Sequence, residues 1–188
     1  MANKKTVGFI VGSLRRDSFS KKVAKYLADL LEEQFDVSFF DIAPLSMYNE
    51  DVDNENDTPQ EWRHFRDEVK EKDAVLFVTP EYNRSIPPVL KNALDIASRP
   101  YGKNNWSGKP GAVVSVSPGA LGAFGANHIL RQSAVFLNIY MMQQPEAYIG
   151  NVAAQTDDTG VTDKRLQDFL RTFADAFADW VNKFTAQR

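Results

Sequence analysis

Hydrophobic residues along this chain fall into short unbroken runs, separated by stretches in which they recur every three or four positions. Residues 6–11 (Thr-Val-Gly-Phe-Ile-Val), 74–78 (Ala-Val-Leu-Phe-Val) and 111–116 (Gly-Ala-Val-Val-Ser-Val) are almost wholly apolar. Such runs mark strands buried on both faces, since a half-exposed strand would alternate. Residues 37–40 form a shorter run closed by Asp41 and Pro44, and residues 140–148 hold a fifth whose limits Pro145 blurs, because proline cannot donate to a strand ladder. Between the runs, Phe19, Val23, Tyr26, Leu27, Leu30 and Leu31 keep helical spacing. Trp62, Phe65 and Val69 do so after an Asp57-Thr58-Pro59 start, and Val89, Leu90, Ala93, Leu94 and Ala97 do so up to Pro100. Residues 126–137 read as a further helix, and Leu166, Phe169, Leu170, Phe173, Phe177, Trp180, Val181 and Phe184 stripe a last one. A stripe of that kind belongs to a core or an interface. Strands alternating with helices predict crossover connections and a parallel sheet. Five strands make this an α/β doubly wound three-layer sandwich. No repeat or linker interrupts the pattern, so residues 1–188 are expected to form one domain.

Composition narrows the chemistry. The chain has 188 residues, 22 Lys+Arg against 25 Asp+Glu, and a formal charge of −3. A chain of this length buries roughly 70% of its unfolded surface and needs no staples. There is no basic excess of the kind a nucleic-acid partner requires. With no cysteine, disulfides, thiolate nucleophiles and cysteine metal sites drop out, and His64 and His128 are the only histidines, so no metal centre is expected. The apolar run after Met1-Ala2-Asn3-Lys4-Lys5 is too short for a signal-peptide core or a membrane span. The reading is a cytoplasmic protein without a membrane partner. Residues 49–61 are polar and rich in Glu50, Asp51, Asp53, Glu55, Asp57 and Glu61. No fixed ligand spacing appears there, so a solvated loop is the expectation.

In a doubly wound sheet, ligands bind beyond the carboxyl ends of the strands, which selects the loops after Val11, Val78 and Val116. The first, Gly12-Ser13-Leu14-Arg15-Arg16-Asp17-Ser18-Phe19-Ser20, is built for phosphate. It has a glycine turn, a helix N-terminus with free N–H groups, hydroxyls at Ser13, Ser18 and Ser20, and the Arg15 guanidinium. It is neither a P-loop nor a Gly-x-Gly-x-x-Gly fingerprint; a capped helix, with Asp17 or Ser18 as the cap, is the plainer alternative. The second, Thr79-Pro80-Glu81-Tyr82-Asn83-Arg84-Ser85-Ile86-Pro87-Pro88, is stiffened by proline and offers Tyr82 as a flat ring. Glu81 there is either an acid or base, or a residue that caps the following helix or pairs with an arginine.

Gly-Ser-Leu-Arg-Arg-x-Ser-Phe-Ser after the first strand and Pro-Glu-Tyr-Asn-Arg-Ser-Ile-Pro-Pro-Val-Leu-Lys-Asn-Ala-Leu-Asp after the third resemble the NAD(P)H-dependent FMN reductase family, and more narrowly its bacterial quinone and chromate reductases. Ser117-Pro118-Gly119, His128-Ile129-Leu130-Arg131-Gln132 and Gln144-Pro145-Glu146 extend the likeness from Val7 to about Gly150. The resemblance implies a flavodoxin-like fold with strand order 2-1-3-4-5 and non-covalent FMN. It assigns Ser13, Arg15, Ser18, Phe19 and Ser20 to the FMN phosphate. Pro80, Glu81, Tyr82 and Asn83 match the loop along the isoalloxazine, and Ser117 and Gly119 the loop at its other edge. Pro87-Pro88 stands where many relatives have Pro-Gly.

The implied reaction passes hydride from NADPH or NADH to flavin N5 and electrons on to a quinone, with the two substrates using one face in turn. Chromate, azo and nitro compounds and free flavin are further acceptors the resemblance brings in. No catalytic side chain is needed, and Glu81 is expected to fix its loop. Arg84 and Arg99 are candidates for the anionic parts of the substrates, although Arg99 also suits a helix C-terminus. His128 lies on a helix that could face another subunit, and a homodimer or homotetramer is expected. Donor preference stays open, because no ribose-reading acid of a dinucleotide fingerprint is identified. Two other classes compete with this reading: a non-enzymatic flavodoxin-type electron carrier, which would share the fold and FMN, and an interaction protein governed by flavin state. Arg15-Arg16 in the first loop and the mild net charge argue against the carrier, and no recruiting segment supports the interaction protein.

Overall fold

The computed structural model describes residues 4–54 and 56–186; Glu55 of the acidic stretch and the first three residues lie outside them. The strands are β1 (Thr6–Val11), β2 (Asp36–Phe39), β3 (Ala74–Thr79) and β4 (Pro110–Val116), with β5 (Tyr140–Met141) and β6 (Ala147–Ile149) after them. The helices are α1 (Phe19–Leu31), α2 (Gln60–Glu71), α3 (Pro88–Ala97), α4 (Phe124–Phe136) and α5 (Lys164–Thr185). All pairings in the main sheet are parallel, in the order β2-β1-β3-β4-β5, with β6 also on β4. The expected order 2-1-3-4-5 therefore stands.

Three details of the pattern differ. The fifth strand is two short pieces against opposite ends of β4, Pro110↔Tyr140 and Val114↔Ala147, parted by the segment around Pro145. A small hairpin, β7 (Thr156–Asp157) with β8 (Gly160–Val161), has too few residues to show a hydrophobic period. Helix α4 also begins at Phe124, two residues before the expected start.

Every residue of β3 and β4 is buried. Successive side chains point to opposite faces. Leu76 and Val78 meet α1 and α5, through residues such as Leu27, Phe173 and Phe177. Val75 and Phe77 meet the other layer, where Trp62, Phe65, Leu90 and Leu130 come from α2, α3 and α4. Trp106 is fully buried there and donates Nε1 to the Leu94 carbonyl at 3.0 Å. Helix periodicity and burial agree in α1, where Val23, Ala24, Leu27, Ala28 and Leu31 face the sheet.

The acidic stretch is more than a solvated loop. Asp53 accepts both Arg66 guanidinium nitrogens, at 2.8 Å and 2.7 Å, and Arg66 Nε donates to the Ile96 carbonyl at 2.8 Å. Tyr48 and Thr58 hydroxyls complete the shell of Asp53. The Arg66 hydrogen bonds hold the Asp53 carboxyl below the usual range, overcoming a burial effect in the other direction. Stability from a depressed carboxylate is present above its unfolded pKa of about 3.9 and is lost as pH falls through the folded value. Asp53→Asn should therefore lower the unfolding free energy near neutral pH by about 3 kcal/mol. The difference from the unmodified protein should shrink as pH falls below about 4. Urea titrations of both proteins across that range measure it, and a pH-independent difference would contradict the assignment.

Candidate functional site

The parallel sheet sends β1, β3 and β4 out at one edge, and the three loops that leave them meet there. Gly12 opens the first loop, with its N–H on the Val78 carbonyl at 2.9 Å. A Cβ at Gly12 would come 2.8 Å from Thr79 Oγ1 and 3.2 Å from Leu90. Glycine is what lets this loop press against the end of β3 and the first turn of α3. Ser18 caps α1, its hydroxyl accepting from Lys21 N at 3.3 Å, so of the two expected caps it is Ser18.

In the second loop Tyr82 and Ser85 exchange backbone hydrogen bonds at 2.9 Å around Asn83 and Arg84. Both central residues are left-handed, with φ of 51° and 66°, as a tight two-residue turn requires. Arginine is a strained occupant of such a position, where glycine is usual. Glu81 accepts from Ala126 N at 3.1 Å and lies 3.6 Å from the Arg84 guanidinium. It therefore caps α4 instead of the helix that follows its own loop. The third loop is tied by Gly119 N to Ser117 Oγ at 3.0 Å and by Ser117 N to the Ile149 carbonyl at 2.9 Å.

The three loops enclose a cavity of about 150 Å³. Ser13, Arg15, Ser18, Phe19 and Ser20 line it from the first loop and Pro80, Glu81 and Tyr82 from the second, while the third contributes Ser117 with Val116 and Pro118. Asn83 and Arg84 form the turn just beyond Tyr82, and Gly119 stands next to Ser117, off the lining. Arg99 is elsewhere. It follows the C-terminus of the ten-residue α3, about 15 Å along the axis from the loop that precedes the helix. His128 is exposed, at 3.1 Å from the Tyr148 hydroxyl and with its ring against Phe124. Tyr148 donates to Glu146 at 2.8 Å, and burial followed by that bond pushes its pKa up to about 12.

The donor set suits a phosphate. Ser13 and Ser20 are 4% and 2% exposed. Neither hydroxyl has a protein partner among the described residues, and both residues line the cavity. Arg15 adds the charge, and the first N–H groups of α1 have no helical acceptor. The one carboxylate on the lining, Glu81, is occupied by Ala126 N and Arg84. The site therefore fits the phosphate end of a flavin mononucleotide.

A sequence model of the NADPH-dependent FMN reductases matches residues 6–154. The chain belongs to that family. It is 52% identical to a quinone reductase of Pseudomonas putida over 96% of this chain and 97% of that protein. It is 45% identical to a 2-hydroxy-1,4-benzoquinone reductase of a Burkholderia species over 93% and 95%. Among solved structures, the flavoenzyme NAD(P)H:(acceptor) oxidoreductase FerB of Paracoccus denitrificans superposes with a TM-score of 0.89 at 43% identity, covering 96% of this chain and 98% of that one.

In this FMN reductase the residues that brace the loops left almost no trace in the sequence. Asn127, fully buried, donates to Ser115 Oγ at 3.1 Å and accepts from Arg131 Nε at 2.9 Å, and Ser115 donates to the Gly122 carbonyl at 2.7 Å. A polar residue on an otherwise apolar helix face was the single available signal. Glu81→Ala should remove the α4 cap and lower stability by about 1 kcal/mol. Urea unfolding reads it, and an unchanged midpoint would remove Glu81 from the bracing of the site.

Proposed function

We propose that the chain is an FMN-dependent NAD(P)H oxidoreductase that delivers electrons to quinones, with the three-loop cavity as its flavin site. The observation that carries this reading is the pair of serines beside Arg15 at a helix N-terminus, whose hydroxyls line the cavity with no partner among the described residues, in a chain whose relatives are named quinone reductases. When bound, FMN supplies the two-electron chemistry between nicotinamide and quinone. Ser13, Ser20 and the first turn of α1 hold its phosphate, with Arg15 neutralising the charge. The cavity is smaller than the roughly 300–1,000 Å³ that encloses a whole small ligand, so the flavin ring is left to the open mouth between Tyr82 and Ser117. Asn83 and Gly119, next to those two, would flank the ring edges.

The two-residue turn gives the mouth a fixed rim and presents Arg84, whose side chain is three-quarters exposed, to the anionic parts of NAD(P)H or of a charged acceptor such as chromate. Arg84, unlike Arg99, is on the loop that forms the cavity. A cytoplasmic location, where reduced nicotinamide is available, agrees with a chain free of cysteine. No helix among the described residues is long and apolar enough to cross a membrane.

A homo-oligomer is part of the same reading. The outer face of α4 and the turn before it expose Leu121, Phe124, Val135 and Phe136, the last two by about three-quarters. Large apolar side chains grouped along one helix are what a subunit contact covers. Sedimentation of the FMN-loaded protein should give a mass at least twice the 21.2 kDa chain; a monomer in dilute solution would refute this part.

Anaerobic stopped-flow absorbance tests the activity. The flavin band should bleach on adding NADPH or NADH and return on adding a benzoquinone, with parallel lines in a two-substrate plot. Bound flavin that no nicotinamide reduces would leave an electron carrier. Arg15→Ala should weaken FMN binding about tenfold, the loss expected for a hydrogen bond to a charged group. Quenching of flavin fluorescence measures it, and an unchanged affinity would take Arg15 out of the phosphate site.

A further inference from the structure

A second cavity, of about 540 Å³, lies at the β2 edge of the sheet, between α1 and residues 39–43. It shares Ser13 with the flavin cavity, and exposed Leu14 forms part of its wall. Its apolar lining includes Phe40 and Ile42, which are buried, and Phe39, which is 49% exposed. Phe39 touches Phe9 at a centroid distance of 5.2 Å, so its ring is anchored with much of its surface free. No described residue covers that surface.

Helix α1 lines the groove with Lys21 and Lys25, one helical turn apart, and farther along with Asp29 and Glu32; Lys21 Nζ reaches the Leu14 carbonyl at 3.5 Å, beside the flavin loop. No hydrogen bond or ion pair joins Lys25 to another described residue. Asp41 follows the end of β2. One of its oxygens accepts from Ala43 N at 3.1 Å, which fixes the side chain in a local turn and leaves the other oxygen without a protein partner.

This arrangement reproduces, by topology, a relation known from dinucleotide-binding sheets. There the phosphates sit at the β1–α1 turn, and an acidic residue beyond the second strand takes the adenosine ribose hydroxyls, or a neighbouring cation takes a 2′-phosphate. Asp41 occupies that place, although the loop before α1 has no dinucleotide fingerprint. Between the two cavities runs the exposed ridge Leu14-Arg15-Arg16; with Arg15 on the flavin side, the Arg16 guanidinium suits a diphosphate passing over it.

We propose that the groove between α1 and residues 39–43 receives the adenosine half of the nicotinamide dinucleotide, with Asp41 on the ribose diol of NADH and Lys21 and Lys25 on the 2′-phosphate of NADPH. The proposal rests on the reductase reading above and deepens it. The adenine lies on the apolar wall beside Phe39, the diphosphate crosses the Arg15-Arg16 ridge, and the nicotinamide reaches the mouth at Tyr82.

Two redox-silent probes test it on the FMN-loaded protein by calorimetric titration: ADP, with a free ribose diol, and 2′,5′-ADP, with a 2′-phosphate. Asp41→Asn keeps the local turn. It should weaken ADP about tenfold and leave 2′,5′-ADP nearly unchanged. The double variant Lys21→Ala/Lys25→Ala should do the reverse. The same crossed pattern should appear in kcat/KM for NADH against NADPH. Equal affinities of both probes for all three proteins would overturn the proposal, as would losses that fall on both probes alike. Reduced nicotinamide mononucleotide, which lacks the adenosine half, separates the two levels. If it reduces the flavin of the unmodified protein while the probes ignore the variants, the groove assignment fails and the reductase reading stands. If no nicotinamide donor reduces the flavin, both fail.

Discussion

Strands β3 and β4 have no exposed residue, and most of the rest of the molecule follows from covering both of their faces. A sheet that hides its apolar runs on two sides needs a helix layer on each. Parallel neighbours can be joined only by crossovers that carry those helices. The helices then start at the same edge of the sheet at which the strands end. Loops with free backbone groups, helix N-termini and hydroxyl side chains accumulate at that edge because of how the core is buried.

A surface assembled from three separate loops needs bracing, and here the braces are polar groups and absent side chains. The Glu81 carboxylate ties the second loop to the start of α4. Gly122, at φ 59°, lets the third loop pass where a Cβ would meet the Tyr148 backbone at 2.5 Å. The buried Ser115–Asn127–Arg131 chain fixes α4 on β4 and β6. Each buried polar group is satisfied, as a low-dielectric interior demands. The hydroxyls of Ser13 and Ser20, without a partner among the described residues, belong instead to the cavity lining. Strain is spent in the same place, at Asn83 and Arg84, where it stiffens the rim.

The division of labour explains the modest set of titratable groups. A cofactor that carries the redox chemistry asks the protein for orientation, charge compensation and a shaped opening. The chain supplies hydroxyls, N–H groups and arginines at the loop edge, and the buried Asp53–Arg66 pair, off the lining of the three-loop cavity, serves the fold.

By itself the sequence determined the layer architecture, because runs buried on both faces and helical stripes are local patterns that survive in one dimension. It also singled out the serine-arginine loop and the proline-stiffened loop that line one cavity, since their residues are contiguous and their types suggest their chemistry. The boundary of the fifth strand was out of reach: pairing with β4 decides it, and two or three residues carry no period. Asp53 looked like one solvated acid among several until Arg66, thirteen positions away, was brought against it. Glu81 read as a cap for the helix that follows its loop, and the packing of α4 on that loop put it on Ala126 N instead. Asp41 ended a strand in the sequence; the approach of α1 to that strand end turned it into one wall of a groove. Contacts distant in the chain are set by how elements pack, and packing is a property of the whole fold.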